Sequence, residues 1–305
     1  MLVELLRGGA EVVACDYAEA DADLKAEAEA AGRVRWVRMD VSRDSDWEAL
    51  PGGDYRALIH TAAVTAPESD SDPKRTADVN FTGTVNALEW AFRRGVPRTV
   101  CTSSSAVYRY TESTAPLSEE MCVDPRFTYG LTKIFSERYL SVYRENLGLD
   151  ACSVRLPSMY GPRERPTQTR TDMSPVYHMA RAVARGEDIA VSGADIARDW
   201  TYVGDAAGGL VHLCGVEGGP DVLNLSTGVF VPLWEIVEAF HRVRPGHGIG
   251  IVEDGCADLA MTGTSGGQPM NPDRLHETGF SAETGIDEGL SAYLEWLEAD
   301  PGRLA

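Results

Sequence analysis

The 305-residue chain contains no apolar run long enough to cross a bilayer, for which about 20 consecutive apolar residues are needed. Positive charge is scarce. Lysine and arginine number 28 against 47 aspartates and glutamates, a net charge of −19. A nucleic-acid backbone would be repelled by such a surface, which argues against nonspecific nucleic-acid binding. Cysteine is sparse and scattered, at 15, 101, 122, 152, 214 and 256. No two lie at the spacing of a zinc site or a redox motif, so buried free thiols in a reducing compartment are expected. The six histidines show no metal-ligand spacing either, and no metal is expected. The first sixteen residues, MLVELLRGGAEVVACD, lack the basic start and small-residue cleavage site of a signal peptide. A cytoplasmic location is the expectation. Internal repeats and low-complexity segments are absent.

What is present has the makings of an enzyme-sized core, with 43% hydrophobic and 25% charged residues. Short β-branched runs at 11–16, 34–40, 57–63, 98–104 and 151–156 are apolar throughout rather than alternating. Strands covered on both faces have this pattern. Helical patterns at about 18–31, 74–94 and 128–147 lie between them. The alternation predicts an α/β fold: a Rossmann-like doubly wound parallel sheet over 1–156. Residues 157–305 are less regular, with helices near 174–185, 205–215, 232–242 and 286–298. They predict a smaller, mainly substrate-binding domain, with about 198–226 returning to the first. Its loops at 161–172 and 262–272 would close over the carboxyl ends of the parallel strands.

The strongest chemical signal is Tyr129-Gly-Leu-Thr-Lys133 at a helix start. A spacing of four puts both side chains on one face, one turn apart. A free tyrosine titrates near pH ~10. A neighbouring ammonium favours the phenolate, so the pair can exchange a proton near neutrality. Taken alone the same spacing also suits a surface Tyr–Lys pair. Upstream, RTVCTSS runs into Ser104-Ser105-Ala106-Val107-Tyr108. A serine at the end of a parallel strand sits at the ligand-binding edge, where its hydroxyl can orient a substrate oxygen. A serine-rich strand–loop junction is the bland alternative.

SSSAVY followed by YGLTK resembles the extended short-chain dehydrogenase/reductase superfamily, in its epimerase/dehydratase branch. HTAA (60–63), DVNFTGTVNALEWA (78–91), VRLPSMYGP (154–162), RDWTYVGDAA (198–207) and NPDRLHETGFSAETGIDEGLSAYLEWL (271–297) are similar to further segments in the same order. The resemblance implies that Ser104, Tyr129 and Lys133 are catalytic. Tyr129 would be the acid/base, Lys133 the residue that holds the nicotinamide ribose and lowers the tyrosine pKa, and Ser104 the group that positions the reacting oxygen. It implies NAD as cofactor, held by Asp16, Asp40, Val41, Ala62, Ala63, Thr102, Tyr129, Lys133 and Pro157. Asn80, on the 78–91 helix, supports the active site and belongs to the same set. Asp16 would bind the adenosine ribose and repel a 2′-phosphate, although a strand-end turn role also suits it. Ser104, Ser158, Arg163 and Arg198 would bind the substrate, a sugar or nucleotide sugar. A homodimer is implied, paired through the helices near 74–94 and 128–147, with Val85, Leu88, Phe135 and Leu140 as apolar residues on them.

Three departures from the family pattern bear on function. The family opens with a strand and a G-x-x-G-x-x-G turn that cradles the cofactor pyrophosphate. Here Met1 falls within the helix that follows that turn, and Gly8-Gly9 comes after that helix. The expectation is a start site placed downstream of the true one, or else a truncated chain with weak cofactor binding and an opened sheet. Ser105-Ala106 stands where 4,6-dehydratases carry an acidic pair, which leaves epimerisation or simple oxidation. Ser158 stands where many nucleotide-sugar enzymes have asparagine, while Arg198 matches their phosphate-binding arginine. Arg163, Arg165 and Arg170 could bind a diphosphate or carboxylate, with solvated loop charges expected for at least two of them. The leading expectation is a sugar epimerase or dehydrogenase. The alternatives are a sugar-acid dehydrogenase and a non-catalytic, cofactor-binding member.

Overall fold

Val, Ile and Leu on both faces of a strand are satisfied only when helices cover both sides of the sheet. The computed structural model, which describes residues 1–109, 115–262 and 267–304, has this arrangement. Strands β1 (Val12–Asp16), β2 (Val34–Arg38), β3 (Ala57–His60), β4 (Arg98–Ser104) and β5 (Ala151–Leu156) fill the first half. The second half holds β6 (Ser158–Tyr160), β7 (Ile189–Ser192), β8 (Ala197–Tyr202), β9 (Val222–Asn224), β10 (Phe230–Pro232), β11 (Ile249–Ile251) and β12 (Leu259–Ala260). The principal helices are α1 (Leu2–Arg7), α2 (Ala22–Ala31), α3 (Gly83–Arg94), α4 (Thr128–Leu147), α5 (Pro175–Arg185), α6 (Val203–Leu213), α7 (Leu233–Val243) and α8 (Ile286–Glu298).

Strands β1 to β5 and β9 form two parallel pieces. One is the β1–β2 pair, the other the sheet β3–β4–β5–β9. Among the described residues no ladder joins β1 to β3. Burial follows this topology. Every residue of β5 is buried, whereas β1 is only half-buried and ends on exposed Cys15 and Asp16.

Helices cover the larger piece on both faces. Leu88 and Trp90 of α3, Leu140 and Tyr143 of α4, and Trp47 from the turn at Asp44–Glu48 pack on one side. Val100, Cys152 and Val154 meet Leu210 and Leu213 of α6 on the other. The sequence reading put 198–226 together as a returning segment. Strand β8 instead pairs with β6 and antiparallel to β10. The edge of β5 is already taken by β9, so only α6 and β9 rejoin the main sheet. The cysteine expectation also needs correcting: Cys101 and Cys152 are buried, but Cys15, Cys122 and Cys256 are exposed.

The helix expected over 74–94 is in three parts: a turn at Pro73–Thr76, a π-helical stretch at Ala77–Thr82 and then α3. The wide turn holds Asn80, and such insertions recur at functional sites. Helix α4 runs over Thr128–Leu147 and stops where Gly148 takes a left-handed φ of 73°.

Candidate active site

Strand β4 ends at Ser104, and a single 3-10 turn, Ser105–Val107, redirects the chain there. Ser104 Oγ accepts from the Ala106 amide at 3.2 Å. Helix α4 begins against this turn. The approach is close enough that a Cβ on Gly130 would lie 2.4 Å from the Ala106 carbonyl oxygen and 2.8 Å from Pro125. Gly130 is therefore the residue that lets Tyr129 reach the strand end.

At that contact the Ser104 hydroxyl lies beside the Tyr129 phenol. Burial raises the Tyr129 pKa above its ordinary value, against the opposing pull of the Ser104 hydroxyl and the Arg170 charge. Lys133 is buried, and its Nζ donates to the Thr102 carbonyl at 2.8 Å. The ammonium lies 5.7 Å from the Tyr129 ring centroid. Burial brings its pKa down to about 8, with Cys101 and Glu137 opposing the fall. The ammonium is turned toward Thr102, so the groups that lower the tyrosine pKa in this arrangement are Ser104 and Arg170 rather than Lys133.

Around this centre, Thr102 Oγ1 donates to the His60 carbonyl at 3.3 Å, and half-buried Ala62 and Ala63 follow β3. Pro157 and Ser158 continue from β5 into β6. Asp16 lies at the exposed end of β1, where its Oδ1 accepts from the Ala18 amide at 2.8 Å. Asp40 is buried: Ser42 Oγ donates to it at 2.6 Å and Arg75 at 3.1 Å. Burial opposes the charge, but these bonds hold the carboxyl below its ordinary range. The neighbouring Val41 carbonyl accepts from Trp47 at 2.8 Å and Asn86 at 3.0 Å.

A tyrosine beside a strand-end serine, with a buried lysine one turn on, is now in place. The family model described as "NAD dependent epimerase/dehydratase family" matches residues 1–226. The chain belongs to this family. The UDP-glucose 4-epimerase of Mycolicibacterium smegmatis is 31% identical over 229 residues, which is 74% of this chain and 72% of that one. A solved structure of UDP-glucose 4-epimerase from Bifidobacterium longum, in complex with NAD+ and UDP, superposes with a TM-score of 0.82. It covers 99% of this chain and 95% of its own at 23% identity, a likeness of fold. A structure of MoeE5 with UDP-glucuronic acid and NAD gives 0.77 at 25% identity, covering 98% and 94%.

Two of the residues that the family pattern suggested for ligand contact are placed otherwise. Asn80 is fully buried. Its Oδ1 accepts from the Val64 amide at 2.7 Å, and its Nδ2 donates to the Val64 carbonyl at 2.9 Å and Thr132 Oγ1 at 3.1 Å. The amide is consumed in pinning the loop after β3 to α4, so it supports the site without touching a cofactor. Arg163, the only described non-glycine residue with positive φ, at 70°, turns away from the site. It pairs with Asp21 at 3.7 Å, with Asp23 at 3.5 Å and with Glu27 of α2, and lies 5.9 Å from the Trp296 ring. Arg165 pairs with Asp21 as well. Arg170 reaches Glu164 at 2.6 Å. All three loop arginines are ion-paired, and Arg165 is also exposed to solvent. Arg198 donates to the Ala197 and Thr262 carbonyls, both at 2.8 Å.

The residues fit a dinucleotide at its ribose and nicotinamide end. There a buried lysine and a half-buried tyrosine converge beside the carbonyl of Thr102. At the pyrophosphate the fit is incomplete. Gly8 and Gly9 follow α1 instead of opening a helix, so these residues contain no glycine-rich cradle. The sequence reading did not single out Gly130, nor the buried Glu137 and Arg155 beneath the site.

Proposed function

We propose that the chain is an NAD-dependent epimerase acting on a nucleotide-linked sugar, with Ser104, Tyr129 and Lys133 as its catalytic set. The observation that carries this reading is the meeting of Ser104, at the end of β4, with Tyr129 and the buried Lys133 of α4. NAD, when bound, supplies reversible hydride acceptance at the carbinol carbon. Tyr129 Oη takes the hydroxyl proton of the substrate and later returns it. Ser104 Oγ holds the same oxygen in line. Lys133 and Thr102 lie where the nicotinamide ribose would rest, Asp16 where the adenosine ribose would, and Asp40 and Val41 flank the adenine position. Ala62, Ala63 and Pro157 give the cofactor close, apolar walls. Ser158 and Arg198 are the substrate-side groups.

In the free protein the raised pKa keeps the Tyr129 phenol protonated, so the group starts as an acid. To take the substrate's proton it must first release its own, which the Ser104 hydroxyl and the Arg170 charge favour, while the Lys133 ammonium holds the ribose. Because that amine titrates at about 8, turnover should decline as pH rises through that value. Ser105-Ala106 after the serine carries no acidic pair, which favours epimerisation or oxidation over elimination of water. The test is incubation with UDP-glucose and NAD, following both the sugar epimer by chromatography and NADH by absorbance. Epimer without net NADH is expected. Tyr129→Phe removes the acid/base while keeping the ring, and should lower turnover by roughly 10²–10⁴-fold. Near-wild-type turnover in that variant would overturn the assignment.

A uronate is the second reading. UDP-glucuronate 4-epimerase of Thermodesulfobacterium geofontis is 31% identical over 61% of this chain, and Ser158 departs from the asparagine of many nucleotide-sugar enzymes. Parallel assays with UDP-glucuronate separate the two. Net NADH formation with that substrate would instead indicate a sugar-acid dehydrogenase.

A further inference from the structure

Beneath the catalytic centre lies a chain of buried polar side chains that the reaction itself does not use. Glu137 follows Lys133 by one helical turn on α4, and both are buried. Ser103, the residue before Ser104, donates its hydroxyl to Glu137 Oε1 at 2.5 Å. Arg155 of β5 grips the same carboxylate with two bonds, Nε to Oε1 at 2.9 Å and Nη2 to Oε2 at 2.7 Å. Its third nitrogen donates to Tyr108 Oη at 2.7 Å, and Tyr108 donates to Asn224 Oδ1 at 2.8 Å. Asn224 in turn donates to the carbonyls of Leu117 at 2.9 Å and Asn271 at 3.1 Å. One connected set thus ties β4, α4, β5 and β9 to two loops of the substrate side.

The placement of the carboxylate is unusual for a structural ion pair. A buried Arg–carboxylate pair confers little net stability against an apolar substitute. This one spends an oxygen on the residue next to Ser104 and sits one turn from the site's lysine. We propose that Glu137 is a positioning residue for the Ser104–Tyr129–Lys133 set, locking the end of β4 against α4 and serving as the negative partner that keeps Lys133 charged. The proposal rests on the function argued above. The other groups facing Lys133 are the Cys101 thiol, the neutral His60 imidazole, Tyr129 and the Thr102 carbonyl. None of them carries a negative charge at neutral pH, because burial pushes Cys101 up to about 12 and His60 down to about 3. Arg155 and Ser103 occupy both oxygens of Glu137, so the carboxylate is held fixed one turn from Lys133.

The composition makes a direct test practical. The chain has three lysines, Lys25, Lys74 and Lys133, and Lys133 alone of these is buried. In protein labelled with 15N-lysine, its side-chain signal can be titrated in the intact chain, without turnover. Glu137→Gln should move the Lys133 midpoint to lower pH and move the alkaline limb of kcat with it. At pH 7 kcat should fall roughly tenfold, with KM nearly unchanged, because only alignment and charge at the reacting centre are altered. A midpoint equal to that of the wild type would overturn the charge role. Ser103→Ala leaves the ion pair whole and orphans no charge, so it folds even if Glu137→Gln does not. It should lower kcat while leaving the Lys133 midpoint in place. Wild-type kcat in Ser103→Ala would overturn the positioning role. If the unaltered protein turns over no nucleotide sugar, the proposed function fails, but the lysine titration still decides whether Glu137 is its counter-charge.

Discussion

At the scale of single residues, the acidic side chains of this protein are used in opposite ways. Asp40 is buried but supplied with donors, and stays ionised. Asp199 on β8 is buried with less help: Ser226 Oγ donates at 2.5 Å and the Met270 amide at 2.9 Å, both to Oδ2. Burial pushes its carboxyl up to about 6 despite these bonds. The folded state therefore holds a proton that the unfolded chain, with an aspartate pKa near ~3.9, releases earlier. Its favourable contribution is complete below about pH 4 and is lost as pH rises through about 6. Asp199→Asn keeps the shape without the charge. Its stability relative to wild type should improve between pH 5 and pH 8, by about 1.4 kcal/mol. Paired denaturation curves at the two pH values check this, and an offset that does not change with pH would refute it.

At the scale of elements, the gap between β1 and β3 has a measurable consequence. An unpaired strand edge leaves amides to exchange with solvent through small local openings, whereas a strand paired on both sides opens only with the whole sheet. Peptides covering β1 and β3 should exchange their amide hydrogens much faster than those covering β4 and β5, each of which has a ladder on both sides. Hydrogen-exchange mass spectrometry resolves these segments. Equal protection of β1 and β5 would show that something else fills the gap. The π-helical turn at Ala77–Thr82 should fall with the protected group, since Asn80 bonds it to both Val64 and Thr132.

At the scale of the whole molecule, α4 presents an apolar ribbon to solvent. Phe127, Leu131, Phe135, Tyr139 and Val142 are exposed, Phe127 by 69% and Phe135 by 57%. The spacing of four puts the first four on one helical face. Phe81 packs its ring against Phe135 and Tyr139 at 6.2 and 5.7 Å between centroids. A contiguous apolar patch of this kind marks an interaction surface. We therefore expect a two-fold homodimer through α4, as the family resemblance implies, with Phe135 among its contact residues. Leu88 and Leu140, named from the sequence for this interface, are fully buried in the protomer's own core, and Val85 is half-buried. Phe135→Glu should convert the dimer to a monomer by light scattering. A wild-type monomer at micromolar concentration would refute the interface.

The sequence by itself determined the parallel strands and pointed to the proposed catalytic set. Both are local signals: a spacing of four on a helix, and unbroken apolar runs bounded by turns. Tyr129, Lys133 and Ser104 were legible because motif, helix start and strand end coincide in the chain. Tertiary structure alone decided where long side chains with several possible partners would go. Arg163 was taken by the acidic start of α2, and Asn80 by the backbone of Val64. Glu137 and Arg155 were tied into a network spanning β4, α4 and β5. Leu88 and Leu140 look the same in sequence whether they face a core or a partner. The split sheet also appeared only in three dimensions, because a strand carries no local record of which neighbour stands beside it.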